Sequence, residues 1–238
     1  MESSKEKDRN SGAQHRRAAG GRPGRVWQAA LVMLLFTGCV PAIYSVDMNY
    51  TPTGAMRSFA KVDQPVPITV AAFVDARKVD DKMQIGRVVK SNDIVVPILP
   101  RFMNPSQAVT APFKEFFRRA GYRVSADSPL WDLKEESIRK EWGTILIGGS
   151  IDELEVLCRE SVTIKKYTAK VKLTVLFADA RSGKIFYKVT TGSSSSLDHL
   201  LFSEAKLEEQ INSALSDAIE KIFEGKELAE IIRKAAKQ

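Results

Sequence analysis

The stretch from Val162 to Phe177 constrains this chain more than any other. Ala169, Val171, Leu173, Val175 and Phe177 alternate there with Lys170, Lys172 and Thr174. That period of two belongs to a strand with one buried and one solvated face. Ala180-Arg181-Ser182-Gly183 reads as a turn, and Lys184 to Thr191 returns as the partner strand with Ile185, Tyr187 and Val189 on one face. A helix follows from Ser203 to Phe223, with Leu207, Ile211, Leu215, Ala218 and Ile222 along one side and Gly225 as its cap. A second helix carries Phe113, Phe116, Phe117 and Ala120 at i, i+3, i+4 and i+7. Thr110 is expected as its N-cap, Pro112 in its first turn and Gly121 at its left-handed end.

Other strands are shorter. Ile68 to Val74 is a nearly continuous apolar run, expected to be buried on both faces. Ile85–Val89 and Ile94–Leu99 flank the turn Ser91-Asn92-Asp93, and Pro97 places the second of these at an edge or ends it early. Tyr122 to Val124 reads as a short strand, and Ser128-Pro129 opens a weaker helical stretch reaching towards Trp142. Thr144 to Ile151 is a buried strand expected to break at Gly148-Gly149, with Glu153 to Cys158 continuing it. Gly192 to Ser196 reads as a flexible loop, and Leu228, Ile231, Ile232 and Ala235 as a last amphipathic helix. Strands and helices in this order give an α+β domain, a mixed β-sheet with two main helices packed on it.

The N-terminal part carries an address. Residues 1–25 are polar and rich in Arg, Gly and Ser; Val26 to Phe36 is apolar, and Thr37-Gly38 precede Cys39. A basic segment, a short apolar segment and small residues at the break make a secretory signal. Phe36-Thr37-Gly38-Cys39 resembles the bacterial lipobox, in which the Cys thiol receives a diacylglyceryl group, the chain is cleaved before it and the new amine is acylated. Phe36 stands where Leu is usual. Competing readings are an uncleaved anchor from Val26 to Val46, weakened as a helix by Gln28, Thr37, Gly38 and Pro41, or a buried core segment. Arg16-Arg17 does not make a twin-arginine signal, because Ala18-Ala19 follow. Val40 stands after the Cys, and by resemblance to the sorting rule of Gram-negative lipoproteins the absence of Asp there implies the outer membrane, periplasmic face. The expected organisation is signal peptide 1–38, flexible tether 39–64, α/β lipoprotein domain 65–225 and C-terminal amphipathic helix 226–238.

The net charge of +7 invites a nucleic-acid reading. Its distribution argues against one: residues 1–38 hold seven basic and three acidic side chains, and the remaining 200 hold 29 and 26. A phosphate-binding stripe belongs on the folded domain, and here most of the excess precedes it.

Chemistry is sparse. His199, beside Asp198 and Ser196, is the one histidine left after cleavage and reads as a polar surface residue; no G-x-S-x-G elbow occurs. Cys158 stands alone once Cys39 is lipidated and reads as a buried, inert thiol, a dimer-linking disulfide being the alternative. Asp75, Asp80 and Asp81 lack the spacing and closing Glu of a calcium loop. Gly148-Gly149-Ser150 follows a strand without a phosphate-loop motif, so a bulge or close backbone packing is the reading taken. Asp75-Ala76-Arg77 is echoed by Asp179-Ala180-Arg181 at a second strand end, read as two similar turns in preference to a duplicated half-domain. No cofactor, metal or catalytic residue is expected.

The lipobox, the strand Val70–Arg77 ending in Asp-x-Arg, the helix ending in Ala120-Gly121-Tyr122 and the Gly148-Gly149 pair together resemble the YajG family of bacterial outer-membrane lipoproteins. The similarity covers about residues 32–224; the preamble, Phe36 and the segment after Gly225 depart from it. The resemblance implies a small α/β domain, no catalytic residues, and Cys39 as the lipidated position. The expected role is a non-enzymatic binding or envelope-assembly module, with the bacterial membrane (through Cys39 acyl chains) and an unidentified envelope protein as partners and no nucleic acid. The alternatives are a lipid or lipopolysaccharide carrier, which needs an apolar hollow, and an envelope hydrolase, which needs a cleft holding His199 with a carboxylate and a hydroxyl.

Overall fold

The computed structural model describes residues 42–52 and 66–224, together with residues 228, 230–232 and 234. The signal peptide, Cys39, Gly225 and Ala235 lie outside the described residues.

Among them, nine strands form one mixed sheet: β1 (Tyr44–Val46), β2 (Pro67–Val70), β3 (Val74–Asp75), β4 (Gly86–Val89), β5 (Val95–Pro100), β6 (Arg123–Val124), β7 (Ile145–Glu160), β8 (Lys165–Asp179) and β9 (Lys184–His199). Helix α1 (Pro105–Arg119) lies between β5 and β6, and α2 (Glu204–Lys221) follows β9. The α+β architecture with two main helices on a mixed sheet is as the periodicity predicts.

Strand β7 is the spine. β8 pairs antiparallel along its whole length and β9 continues the meander. On the other edge β2, β3 and β4 pair with it in parallel, one after another, at Ile145–Ile147, Ser150–Ile151 and Val156–Arg159. The break expected at the glycine pair does not occur; β7 runs unbroken through it for 16 residues. The glycines serve close packing instead. A Cβ on Gly148 would stand 2.6 Å from Trp131 Cε3, and one on Gly149 would stand 2.2 Å from Thr174 O. The irregularity falls just beyond, between Ile151 and Glu153. There Asp152 is the extra residue, and its carboxylate accepts from Ser150 Oγ at 2.8 Å and Thr174 Oγ1 at 2.7 Å.

Both helices cover one face. Phe116 stacks on Phe223 at 4.7 Å, and Phe117 and Phe177 meet the Phe223 ring edge-on at 5.4 and 5.9 Å. Helix α1 starts earlier than expected. Asn104 is its N-cap and forms a capping box with Gln107, and Pro105 opens the first turn. Thr110 lies inside the helix, donating to Ser106 O at 2.7 Å and accepting from the Phe73 N–H at 3.1 Å. Pro112 is tolerated as an interior residue. The C-terminal end is as predicted: Gly121 has φ +92°, its N–H bonds Arg118 O, and Tyr122 N–H bonds Phe117 O, the Schellman arrangement, with the Phe117 and Tyr122 rings in contact.

The opposite face is covered by residues 129–142, which are not the helix expected. Leu130 bridges to Ala72, Trp131 is buried with its indole N–H donating to Lys134 O at 2.9 Å, and two short 3-10 turns follow at Glu135–Ser137 and Lys140–Trp142. Trp131 packs with Ala71, Leu146 and Leu176, side chains that the helical face does not use.

Two further expectations change. The loop assigned to Gly192–Ser196 is part of β9. Its inward residues are small, which lets α2 approach: Thr191 Oγ1 donates to Ala218 O at 3.2 Å and Ser195 Oγ to Gln210 O at 2.9 Å. Pro97 sits within β5, but β1 pairs only with Ile98–Pro100, so the strand has one neighbour at the proline. Residues 42–52, expected within a flexible tether, are folded into the domain. After β1, Met48 and Tyr50 are buried. The N–H groups of Asp47, Asn49 and Thr51 donate to the side chains of Glu208, Asn212 and Ser216 at 3.0, 2.9 and 2.9 Å. Two extended residues advance about 6.8 Å and four helical residues about 6.0 Å, so the strap and α2 keep step. At the other terminus residues 228, 230–232 and 234 are helical, with Leu228 and Ile232 buried in the main core.

Candidate functional site

The two Asp-Ala-Arg sequences are the same local device. In each the aspartate accepts the backbone N–H two residues on and the Nε–H of that arginine: Asp75 from Arg77 at 3.1 and 2.9 Å, Asp179 from Arg181 at 2.9 and 3.2 Å. The reading as two similar strand-to-turn endings accounts for both.

Their surroundings differ. The Arg77 side chain is only 3% exposed. It closes a fork on Asp75 through Nη2 at 2.7 Å, and its Nη1 donates to Gln84 O at 2.9 Å and Leu154 O at 3.4 Å, with Nη2 also reaching Lys82 O at 2.6 Å. All arms of the guanidinium are thus spent on holding the loop 76–84 against β3 and β7. Lys82 Nζ closes the loop onto Arg77 O and lies 3.8 Å from the Asp75 carboxylate. Burial by itself would raise the Asp75 carboxyl; the hydrogen bonds and charge of Arg77 outweigh it and hold the group below its ordinary value.

This clasp forms one wall of a groove of about 890 Å³, floored by β7 and the β4 start. Its far side carries the pair Arg87–Glu155 at 3.4 Å, the bulged Asp152, Glu153 and Lys170. A shallower groove of about 520 Å³ shares Glu153 and Lys170 and runs on to Thr190–Ser194 and Lys221. Charges of both signs line the first groove together with Val79, Ile85 and Leu154, and hydroxyls of Thr190, Ser193 and Ser194 line the second. Both grooves lie open at the surface and differ from the enclosed apolar hollow a lipid carrier needs.

The remaining sequence candidates lie apart from it. His199 is exposed at the end of β9, its Nδ1 within 2.9 Å of Leu201 O, and it lines neither groove. Cys158 is wholly buried on β7 opposite Tyr167; burial first, then the nearby Glu160 carboxylate, push its thiol up to about 11. Asp81 accepts the Met83 N–H at 2.8 Å, closing a turn, and no group of three or more His, Cys, Asp or Glu that would hold a metal occurs among the described residues. Sequence reasoning missed Asp152, Arg87 and Lys170, whose common position depends on the β7 bulge and cross-strand register. The Asp-Ala-Arg echo was the one signal pointing to this wall.

No family model matches the sequence, and no curated protein matches it. Solved structures do. Protein XCC0632 from Xanthomonas campestris, of the family DUF330, is similar with a TM-score of 0.50 at 10% identity, over 81% of this chain and 99% of that one. The PelC dodecamer from Paraburkholderia phytofirmans is similar at 0.36 and 12% identity, over 68% of this chain and 91% of that one. Lipoprotein GNA1162 from Neisseria meningitidis is similar at 0.28 and 14% identity, over 68% of this chain and 100% of that one. At such identities the likeness to XCC0632 is one of fold, and the other two are too distant to carry weight. The class defined is an α+β domain that shares the fold of XCC0632 and carries an open, charge-lined surface trough. No helix among the described residues is long and apolar enough to cross a membrane.

Proposed function

We propose that this chain is a lipid-anchored, YajG-like lipoprotein of the bacterial envelope that binds another envelope component and catalyses no reaction. Acyl chains on Cys39 hold it at the outer membrane, facing the periplasm, and the trough beside Arg77 receives a polar segment of a partner protein. The observation that carries this reading is the junction at the N-terminal side of the fold: the lipobox-like Phe36-Thr37-Gly38-Cys39 stands five residues before Tyr44, where the sheet begins. Two or three acyl chains, each CH₂ contributing about 0.8 kcal/mol, suffice for stable attachment. The charges of both signs that line the trough favour complementary protein contact.

In-cell photo-crosslinking from a photoreactive residue in place of Lys170, followed by mass spectrometry, tests the role. One dominant envelope protein is the expected adduct. Lipid adducts alone would overturn the protein-binding reading.

A further inference from the structure

Among the described residues, seven of the twelve large apolar side chains that lie exposed gather at one end of the sheet. Val89 of β4 pairs with both Val95 and Arg159, and Lys165 of β8 pairs with both Glu160 and His199. The β4–β5 turn, the β7–β8 turn and the β9–α2 connection therefore stand side by side. Strands β5, β4, β7, β8 and β9 make this end about 19 Å wide at the usual strand spacing.

Each of the three tips presents apolar side chains to water. Ile94 and Val95 stand on the first, Val162 (92% exposed) and Ile164 on the second, and Leu200 (74%) and Leu201 (72%) on the third. The β8–β9 turn at the opposite end is Arg181-Ser182-Gly183. The positions are built, not frayed: Ser161 bonds across the second tip to Ile164, and the Tyr167 hydroxyl donates to Leu201 O at 3.3 Å and accepts Ser203 N–H at 2.9 Å. A cluster of exposed apolar residues on a soluble domain marks an interaction surface.

Its occupant follows from where the chain arrives. β1 runs parallel to β5, with Tyr44 opposite Ile98 and Val46 opposite Pro100, so it enters the sheet from the side of Val95. Ile43, the seventh of these exposed apolar residues, stands at that entrance. Cys39 is five residues before Tyr44 and can lie no further than about 17 Å from it. A lipid on Cys39 would be tethered within that reach of the strand that enters from the tip end.

We propose that this end of the domain rests on the membrane, the three tips dipping into the headgroup boundary of the leaflet that holds the Cys39 acyl chains. The inference deepens the proposed function and rests on lipidation of Cys39. It fixes orientation: tips and anchor contact the bilayer together. The charges around the tips are nearly balanced, Lys90, Arg159, Lys165 and Lys166 against Asp93, Glu160 and Asp198. Apolar insertion, not attraction to anionic lipid, is the driving contact, so the geometry is the same on zwitterionic vesicles.

The test uses the full chain, produced in a Gram-negative host and reconstituted into phosphatidylethanolamine–phosphatidylglycerol and into phosphatidylcholine vesicles. Nitroxides are placed at Val162→Cys, Leu200→Cys and, at the opposite end, Ser182→Cys, Cys158 staying unlabelled in its buried site. Collision rates with oxygen and with a water-soluble nickel chelate are compared, and the mass of the N-terminal fragment reports acylation of Cys39. The expected result is a severalfold higher oxygen-to-nickel ratio at positions 162 and 200 than at 182 in both vesicle types. Equal ratios at all three on acylated protein overturn the proposal while leaving the anchor intact. Absence of acylation overturns the anchor and the proposal with it.

Discussion

The ring of Tyr44 lies 4.8 Å, centroid to centroid, from that of Phe202, at a tilt of 43°. Phe202 also stacks at 6.4 Å on Tyr167. The first strand of the domain is thereby fastened to the segment that leads into its last long helix. A double-mutant cycle of Tyr44→Leu and Phe202→Leu is predicted to show a coupling of about 0.5–1.5 kcal/mol in urea unfolding. Additive losses would mean the rings contribute only their separate burial.

Arg77 is the second fastening. Removing it leaves the Asp75 carboxylate and three backbone carbonyls without their donor, so Arg77→Ala is predicted to cost about 3–5 kcal/mol. Arg77→Lys recovers little of this, because an ammonium does not reproduce the fork. Unfolding midpoints of the two variants check the expectation, and a Lys variant close to wild type would contradict it.

Acid lability follows from the aspartates. At Asp75, Asp179 and Asp217 burial pushes the carboxyl up, but the hydrogen bonds of Arg77, of Arg181, and of Lys221 with Ser193 outweigh it, so all three titrate below their ordinary value in the folded chain. A group whose folded value lies below its unfolded one contributes stability that is fully present above the unfolded value. That stability is lost as the pH falls through the folded one. The urea midpoint is therefore predicted to hold steady down to about pH 5 and to fall below about pH 4. In Asp75→Asn the decline should be shallower.

Gly148 and Trp131 are predicted to be coupled. Gly148→Ala drives a methyl into the indole and should cost about 1–3 kcal/mol. In a Trp131→Leu background the same change should cost less, the interaction term exceeding about 0.5 kcal/mol. Equal cost in both backgrounds would place the strain elsewhere.

Cys158, with its thiol pushed up to about 11, should resist alkylation at pH 8 in the folded chain and react promptly in urea. Counting modified thiols by intact mass under the two conditions decides the point.

The elements that periodicity revealed are those whose partners are apolar and whose pattern is local: the β8–β9 hairpin, the stripe of α1 from Phe113 to Ala120, and the long face of α2. What escaped was set by distant or polar partners. The strap at 47–51 is held by backbone donors on Glu208, Asn212 and Ser216, residues a hydrophobic pattern counts as solvent-facing. The serines of β9 look like a loop until α2 is laid over them. Gly148 and Gly149 suggest a break, whereas Trp131 and β8 need their bare backbone. Within the candidate site, Arg77 was visible through its repeated motif; the trough was not, because Asp152 joins it only through a bulge.

The central claim is that Cys39 carries lipid. Cells fed radiolabelled palmitate and producing either the wild-type chain or Cys39→Ala provide its most direct test. The account predicts label in the wild type and none in the variant; equal labelling of both, or label in neither, would contradict it.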